Sequence, residues 1–259
     1  MSNILLTLTL RDMRKVLGKR TLMIWGALSA LGVFFFFATS GRRILIENNE
    51  VEFMALFLPQ IIFGTWAILS VFFDLVSSDR QHNVLDCILC SGVSKTLIFF
   101  SKIITLTAIS LILSLTYLLP VTVVIISISG RAEHFTVLFQ YLLPLWGYIM
   151  VYAALGAAIS VIARSTKTAL ITSLAAGLVL MPRFFILIVD GLGAVFHWTQ
   201  ATKDAVSMVA PGVMMDALSH NSGTAEYYKM AVIFTLSIIL LIAVAYCVFR
   251  KQDELNYGE

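Results

Sequence analysis

Residues 102–128 read KIITLTAISLILSLTYLLPVTVVIISI and contain no charged side chain after the opening lysine. A helix needs about 20 apolar residues to cross the hydrocarbon core of a bilayer, so this stretch is long enough to span a membrane. The whole chain is 59% hydrophobic and 13% charged, whereas a soluble domain carries about 25% charged residues. The sequence therefore predicts an all-α polytopic membrane protein.

Five further apolar regions are also long enough to reach across a bilayer. We therefore predict one domain over residues 1–259 with six transmembrane helices and short connecting loops. Ser129-Gly130-Arg131 separates the third crossing from the fourth, which predicts a tight turn and an antiparallel helix pair. The five further regions cover about 21–40, 53–76, 135–162, 168–198 and 229–249.

The N-terminal segment, residues 1–20, is amphipathic and directly precedes the first crossing. Apolar side chains interspersed with basic ones predict an interfacial helix that lies on the membrane surface; a frayed tail is the alternative. Basic residues just before an apolar crossing are typical of a membrane-flanking anchor, so we expect lipid contact and no nucleic-acid partner. The basic residues are Arg11, Arg14, Lys15, Lys19 and Arg20.

The fifth apolar region, 168–198, is too long for a simple crossing and is interrupted by Pro182-Arg183 and Asp190-Gly191. Proline removes a helix hydrogen bond, and a charge inside the bilayer is costly. We predict a helix up to about Met181 and then a re-entrant helical hairpin over about 182–198. A single long tilted helix is the alternative. Arg183 and Asp190 are candidates for an extracellular gate, with solvated hairpin ends as the simpler interpretation.

Lysine and arginine residues are unevenly divided between the two sides of the predicted crossings. Twelve of the 18 fall on the side that holds both termini, and six fall on the other side. Loops rich in lysine and arginine stay on the cytoplasmic side of a membrane. We therefore predict a multi-pass protein of the cell membrane with both termini in the cytoplasm.

The loop between the second and third crossings has a helical pattern of its own. Ser78 or Asp79 can cap a helix start, apolar residues follow at helical spacing, and Gly92 can end the helix. We predict a short amphipathic helix over about 79–91, which either lies on the lipid surface or docks into a groove of a cytoplasmic protein. Its apolar residues are Val84, Leu85, Ile88 and Leu89, and its polar residues are Arg80, His82, Asn83 and Asp86.

The sequence contains no motif for catalysis or for metal binding. Cys87 and Cys90 form a C-x-x-C pair, but no second cysteine or histidine pair completes a zinc site, so packing is the better interpretation. A G-x-x-x-x-G-K-[ST] phosphate loop is missing too. We expect no catalytic, cofactor-binding or metal-binding residue in this chain.

The loop between the second and third crossings resembles a pattern of the type-2 ABC exporter permeases, which runs D/E-R-x-x-G-T-L-x-x-L-L-x-x-P-V-S-R…G-K. This chain has Asp79-Arg80 at its start, then Ser94-Lys95, and Ser101-Lys102 at the opening of the third crossing. Asn83 stands where the pattern has glycine, and Gly92 stands where it has proline. The order of the amphipathic N-terminus, six crossings and interrupted fifth region is similar to that family over the whole chain.

The resemblance implies a permease subunit that works as a dimer with a second permease copy and is driven by a separate cytoplasmic ABC ATPase. ATP and Mg would bind to that ATPase and no cofactor to this chain. The loop helix would be the coupling helix that rests on the ATPase. An ATPase-independent secondary transporter or channel is the alternative, disfavoured because the crossings hold almost no ionisable residues. The implied coupling residues are Asp79, Arg80, Asn83, Val84, Leu85, Asp86, Ile88 and Leu89.

Overall fold

The computed structural model describes residues 2–39, 41–48, 51, 53–135, 140–220 and 224–251. Within these ranges every regular element is a helix, which confirms the all-α class. A five-residue π-helix, Gln60–Gly64, lies between α4 and α5. In chain order the helices are α1 (Ser2–Val16), α2 (Lys19–Ala38), α3 (Gly41–Asn48), α4 (Phe53–Pro59), α5 (Thr65–Phe72), α6 (Ser77–Gln81), α7 (Val84–Cys90), α8 (Lys95–Ser129), α9 (Leu142–Ile162), α10 (Thr166–Val179), α11 (Pro182–Val195), α12 (Gln200–Ser207), α13 (Pro211–His220) and α14 (Thr224–Lys251).

The described helices confirm a polytopic membrane protein. Five segments are individually long and apolar enough to cross a bilayer, and α10 with α11 form a sixth if the pair counts as one span. The axes of α10 and α11 are bent by 69°, which fits a broken span as well as a re-entrant loop, so the hairpin over 182–198 stays a prediction. The five segments are Lys19–Ala38, Leu56–Gln81, Lys95–Ser129, Leu142–Ile162 and Tyr227–Lys251.

The third crossing is longer than the sequence pattern predicts. α8 starts at Lys95 because the Ser94 hydroxyl caps it, accepting a hydrogen bond from the Leu97 amide at 3.3 Å. It ends at Gly130, which takes the left-handed conformation (φ 66°) common after a helix C-terminus. Residues 130–133 are non-helical and helical residues resume at 134 and 135, so the tight turn and antiparallel pair stay a prediction; α9 starts at Leu142. Part of the predicted fourth crossing, 136–139, lies outside the described residues.

The centre of the bundle is α9, which packs against α5, α8 and α14. Small residues let these helices approach closely, as expected for helix packing in a membrane. At Gly156, an added Cβ would lie 3.2 Å from the Cβ of Phe72 in α5. At Gly147 it would lie 2.8 Å from the ring of Phe234 in α14.

Close contacts at Trp25 and Gly32 also fix the first span, α2, to the bundle. The Trp25 indole donates a hydrogen bond to the Leu113 carbonyl in α8. Two turns further along the same helical face, Gly32 lies against Tyr117. The Tyr117 hydroxyl donates a hydrogen bond to the Leu56 carbonyl in α4. A Cβ at position 32 would come within 2.6 Å of that hydroxyl oxygen, so only glycine leaves the hydrogen bond intact.

We expect Gly32→Ala to lower the free energy of unfolding in detergent by about 1–3 kcal/mol, the usual cost of overpacking a well-packed core. The matched control is Gly26→Ala in the same helix, where an added Cβ would meet nothing within 4 Å. That control should be neutral or gain about 0.5–1 kcal/mol, because alanine favours a helix over glycine. Equal stability of the two variants would contradict the close contact.

Candidate functional site

The predicted loop helix over 79–91 is two helices in the structure. α6 ends at Gln81 and α7 begins at Val84, and between them Asn83 takes the left-handed conformation with φ 56°. Asparagine visits this conformation more readily than other residues with a side chain. The reversal at Asn83 separates Asp79 and Arg80 from the apolar residues that follow, so the two groups have different surroundings.

One face of α7 is anchored to the protein itself. Leu85 is only 8% exposed and packs in an apolar cluster with residues from α1, α8, α9 and α14. Ile88 and Leu89 are half-buried and pack against the same cluster. Leu85 therefore attaches α7 to the end of the bundle. The buried members of the cluster are Leu8, Val76, Leu85, Ile98, Phe99, Ala158, Val161, Ala245 and Phe249.

The opposite face of α7 is open. Asp86, Cys87 and Cys90 are exposed, as are His82 and Asn83 in the preceding turn. Val84 is half-buried. These residues form a small mixed surface, which we call the α7 surface, on a helix whose other side is already held by the bundle.

Five charged residues from three helices form a cluster, which we call the charge cluster. Its centre is Lys102 of α8, whose Nζ lies 2.9 Å from Asp12 Oδ2 in α1 and 2.5 Å from Asp79 Oδ2 in α6. Arg11 spans the two carboxylates, with its Nη2 at 2.6 Å from Asp12 Oδ1 and 2.9 Å from Asp79 Oδ2. Lys15 completes the cluster at 3.4 Å from Asp79 Oδ1.

The charge cluster is largely shielded from solvent. Asp12 is fully buried, and Lys102 and Asp79 are nearly so. Lys102 also donates to the Leu75 carbonyl at 2.9 Å, and Lys15 donates to the Asp74 carbonyl at 3.0 Å. Buried charges are tolerated only when they are paired and hydrogen-bonded, so each member depends on the others.

The ion pairs of the charge cluster also determine the pKa of Arg11, which lies at its edge. Burial lowers the pKa of its guanidinium, but the hydrogen bond and charge of Asp12, together with Asp79, more than offset this and raise the pKa above its ordinary value. The side chain therefore stays charged at any physiological pH, and the link from α1 to α6 stays with it.

α6 is held from a second direction by the end of α9 and by Ala163, the residue that follows it. The Arg80 guanidinium donates to the carbonyls of Val161 and Ala163 at 3.1 and 3.2 Å. The Ser160 hydroxyl accepts from the backbone amides of Val76 and Ser77, both at 2.9 Å. With Asp79 paired on its other side, α6 is a fixed base from which α7 projects.

The structure thus divides the eight predicted coupling residues into groups. Asp79, Arg80 and Leu85 make contacts inside the chain, Val84, Ile88 and Leu89 are half-buried, and Asn83 and Asp86 are exposed. Sequence reasoning missed Asp12 as a partner and treated its basic neighbours only as a membrane anchor. The available signals were an acidic residue within a basic helix and a lysine that opens an otherwise uncharged crossing.

The predicted extracellular gate residues are not brought together as a pair. Asp190 of α11 lies with its Oδ1 3.7 Å from Lys203 Nζ of α12, and the Lys203 side chain lies across Gly193, where a Cβ would clash with it. Arg183 follows Pro182 in the first turn of α11. A gate role for Arg183 and Asp190 stays a prediction.

Metal binding finds no support in the geometry of the described residues, which contain no group of three histidine, cysteine, aspartate or glutamate side chains able to hold an ion. Cys87 and Cys90 are free thiols on the open face of α7. They are exposed, which differs from the packing role predicted for them.

Comparison with known protein families gives a match over nearly the whole chain. The family described as ABC-2 family transporter protein matches residues 8–254. This range contains the charge cluster, the α7 surface and all of the candidate spans. No curated protein matches the chain.

We expect Lys102→Met to lower the free energy of unfolding in detergent by about 3–5 kcal/mol, because it removes the buried ammonium that pairs with both carboxylates. The control Arg43→Met breaks an exposed pair, Arg43–Glu47, whose side chains are 77% and 56% exposed; such pairs contribute about 0–1 kcal/mol. A Lys102→Met effect no larger than this control would refute the central role of Lys102. Replacing Asp12 and Asp79 by asparagine in the same chain should recover part of the loss.

Proposed function

Because the chain belongs to the ABC-2 family of transporter proteins, we propose that it is the permease subunit of an ATP-driven exporter, coupled through α7 to a separate cytoplasmic ATPase. The family match supports a membrane component of a transporter. The coupling through α7, the dimeric state and the outward direction of transport are the parts that we add. Both termini lie in the cytoplasm in this proposal, because the side that holds them carries most of the lysine and arginine.

The observation that carries the proposal is the two-sided character of α7. A helix that only floated on lipid would turn its apolar face to the membrane, whereas Leu85 is buried in an apolar cluster that includes residues of α1, α8, α9 and α14. The polar outer face then remains for a protein partner. A short helix presented in this way fits the helix-in-groove mode of recognition, with the ATPase supplying the groove.

The charge cluster explains how movement of α7 reaches the spans. α7 is joined to α6 by two residues and to α8 by Ser91–Ser94, and α6 and α8 are tied together by the Asp79–Lys102 pair. Displacement of α7 therefore moves the ends of the second and third spans together. Asp12 and Arg11 couple α1 to the same unit, so α1 moves with it.

ATP hydrolysis belongs to the partner in this mechanism. ATP and Mg would bind to the ATPase, and closure of two ATPase copies would carry the α7 of each permease with it. Two copies of this chain, or this chain and a related one, enclose the cargo pathway between them. The residues of this chain bind neither nucleotide nor metal; they receive the motion and convert it into rearrangement of the spans.

We expect Asp86→Arg combined with Cys90→Arg to weaken binding of the ATPase roughly tenfold, equivalent to about 1.4 kcal/mol, because both side chains lie on the α7 surface. Binding is measured as co-purification and by titration of the purified permease with the ATPase. Thermal stability of the permease should not change. Two controls define the result: Arg43→Glu, in α3, should bind normally, and Leu85→Arg should destabilise the permease itself. Normal binding by the double variant would refute docking at α7.

We also expect Cys87 and Cys90 to react with a membrane-impermeant maleimide from the cytoplasmic side only, since both thiols are exposed. The experiment uses the variant Cys247→Ser, in which Cys87 and Cys90 are the only thiols. Inverted membrane vesicles should be labelled and right-side-out vesicles should not, and an assembled ATPase should protect both cysteines. Labelling from the outer side would show that the chain has the opposite orientation in the membrane. Labelling that the ATPase does not reduce would argue against the α7 surface as the ATPase contact.

A further inference from the structure

A buried amide in the second span lacks a hydrogen-bond partner among the described residues. Gln60 opens the π-helix Gln60–Gly64 and is fully buried, yet neither its Nε2 nor its Oε1 makes a hydrogen bond within the described part of the chain. An unsatisfied buried amide costs free energy, and within a membrane no bulk water compensates for it. Short π-helices inside α-helices also occur frequently at functional sites. This combination points to a bound molecule.

Other polar groups converge on the same place. Tyr148 of α9 donates its hydroxyl hydrogen to the Gln60 carbonyl at 2.8 Å, which leaves the lone pairs of its oxygen free to accept. The Gln60 Oε1 and the Tyr148 hydroxyl oxygen lie 2.6 and 2.9 Å from the point where a Cβ of Gly64 would be. Both oxygens therefore lie close to Gly64, which has no side chain to displace them.

Thr65 adds a third group. Its hydroxyl is fully buried near the hydroxyls of Tyr148 and Tyr152, and it makes no hydrogen bond of regular geometry within the described residues. Water commonly bridges buried polar groups that have no direct partner. Gln60 and Thr65 thus present donors and acceptors that the described part of the chain leaves unused.

The chemistry of these groups defines the ligand. None of Gln60, Thr65, Tyr148 and Tyr152 is a charged residue, so an ion would be buried there without compensation. The amide needs one molecule that donates to Oε1 and one that accepts from Nε2, and the hydroxyls can do either. Buried water typically makes about three such hydrogen bonds. We propose that Gln60, Thr65 and Tyr148 form an internal water-binding site at the π-helix of the second span.

The proposed water-binding site lies at a junction of several helices. α13 packs against the π-helix and against α9, and a Cβ added at Gly212 of α13 would lie 3.6 Å from the Tyr152 hydroxyl oxygen. That hydroxyl in turn donates to the Leu180 carbonyl at the break between α10 and α11. The water-binding site therefore lies where the second span, the fourth span and the bent pair meet, and it is independent of how the ATPase is bound.

X-ray radiolytic footprinting of the purified full chain in lipid nanodiscs tests the site, because bound water generates hydroxyl radicals where it sits. We expect oxidation of Tyr148 despite its complete burial, read out by mass spectrometry. The internal control is Trp25, which is 2% exposed and whose indole nitrogen is already hydrogen-bonded to Leu113; it should stay unlabelled. In Gln60→Leu the labelling of Tyr148 should fall to the level of Trp25.

Two results would overturn the water-binding site: Tyr148 as unreactive as Trp25 in the unmodified chain, or unchanged Tyr148 labelling in Gln60→Leu. If Gln60→Leu does not fold, Thr65→Val removes one hydroxyl at nearly constant shape and should reduce the labelling. If the Gln60 amide were instead dry and unsatisfied, Gln60→Met would raise the thermal stability of the protein. With water bound, Gln60→Met brings no such gain.

Discussion

The lysine at position 102 enters the bundle with a charge that must be neutralised inside the protein. Asp12 and Asp79 supply the opposite charges from two other helices, and Arg11 joins the two carboxylates. Removal of any one partner leaves a buried charge that the surrounding apolar residues cannot solvate. The relative positions of α1, α6 and α8 are therefore restricted, and α7 takes its place because both of its neighbours in the chain belong to this restricted set.

The polar groups of the second span are hydrogen-bonded differently at its α6 end and at its π-helix. At the end near α6 it is held by ion pairs and by the Arg80 hydrogen bonds to Val161 and Ala163, which are strong because one partner is charged. At the π-helix its polar groups are neutral and their hydrogen bonds are incomplete within the protein. One end thus resists displacement, while the middle is the place where the span can adjust its packing against α9 and α13.

The sequence predicts the membrane class and most of the spans, because apolar length alone decides whether a helix can cross a bilayer. It also identifies the apolar face of the loop helix, on which Leu85 lies. It does not reveal what that face contacts, since Leu8 and Phe249 come from opposite ends of the chain. The charge cluster was missed for the same reason: Asp12 and Lys102 are far apart in sequence, and a basic N-terminal segment has a simpler interpretation as a membrane anchor. Local patterns likewise could not predict the break at Asn83, which depends on one backbone angle.

The left-handed backbone of Asn83 limits which substitutions the chain can accept during evolution. The related exporter pattern has glycine at this position, and glycine and asparagine are the two residues that adopt a positive φ most easily. A β-branched residue would favour an extended or right-handed backbone instead, and in the right-handed case α6 and α7 would merge into one straight helix. Leu85 would then rotate away from its apolar neighbours. A single backbone dihedral angle therefore restricts which residue types position 83 accepts.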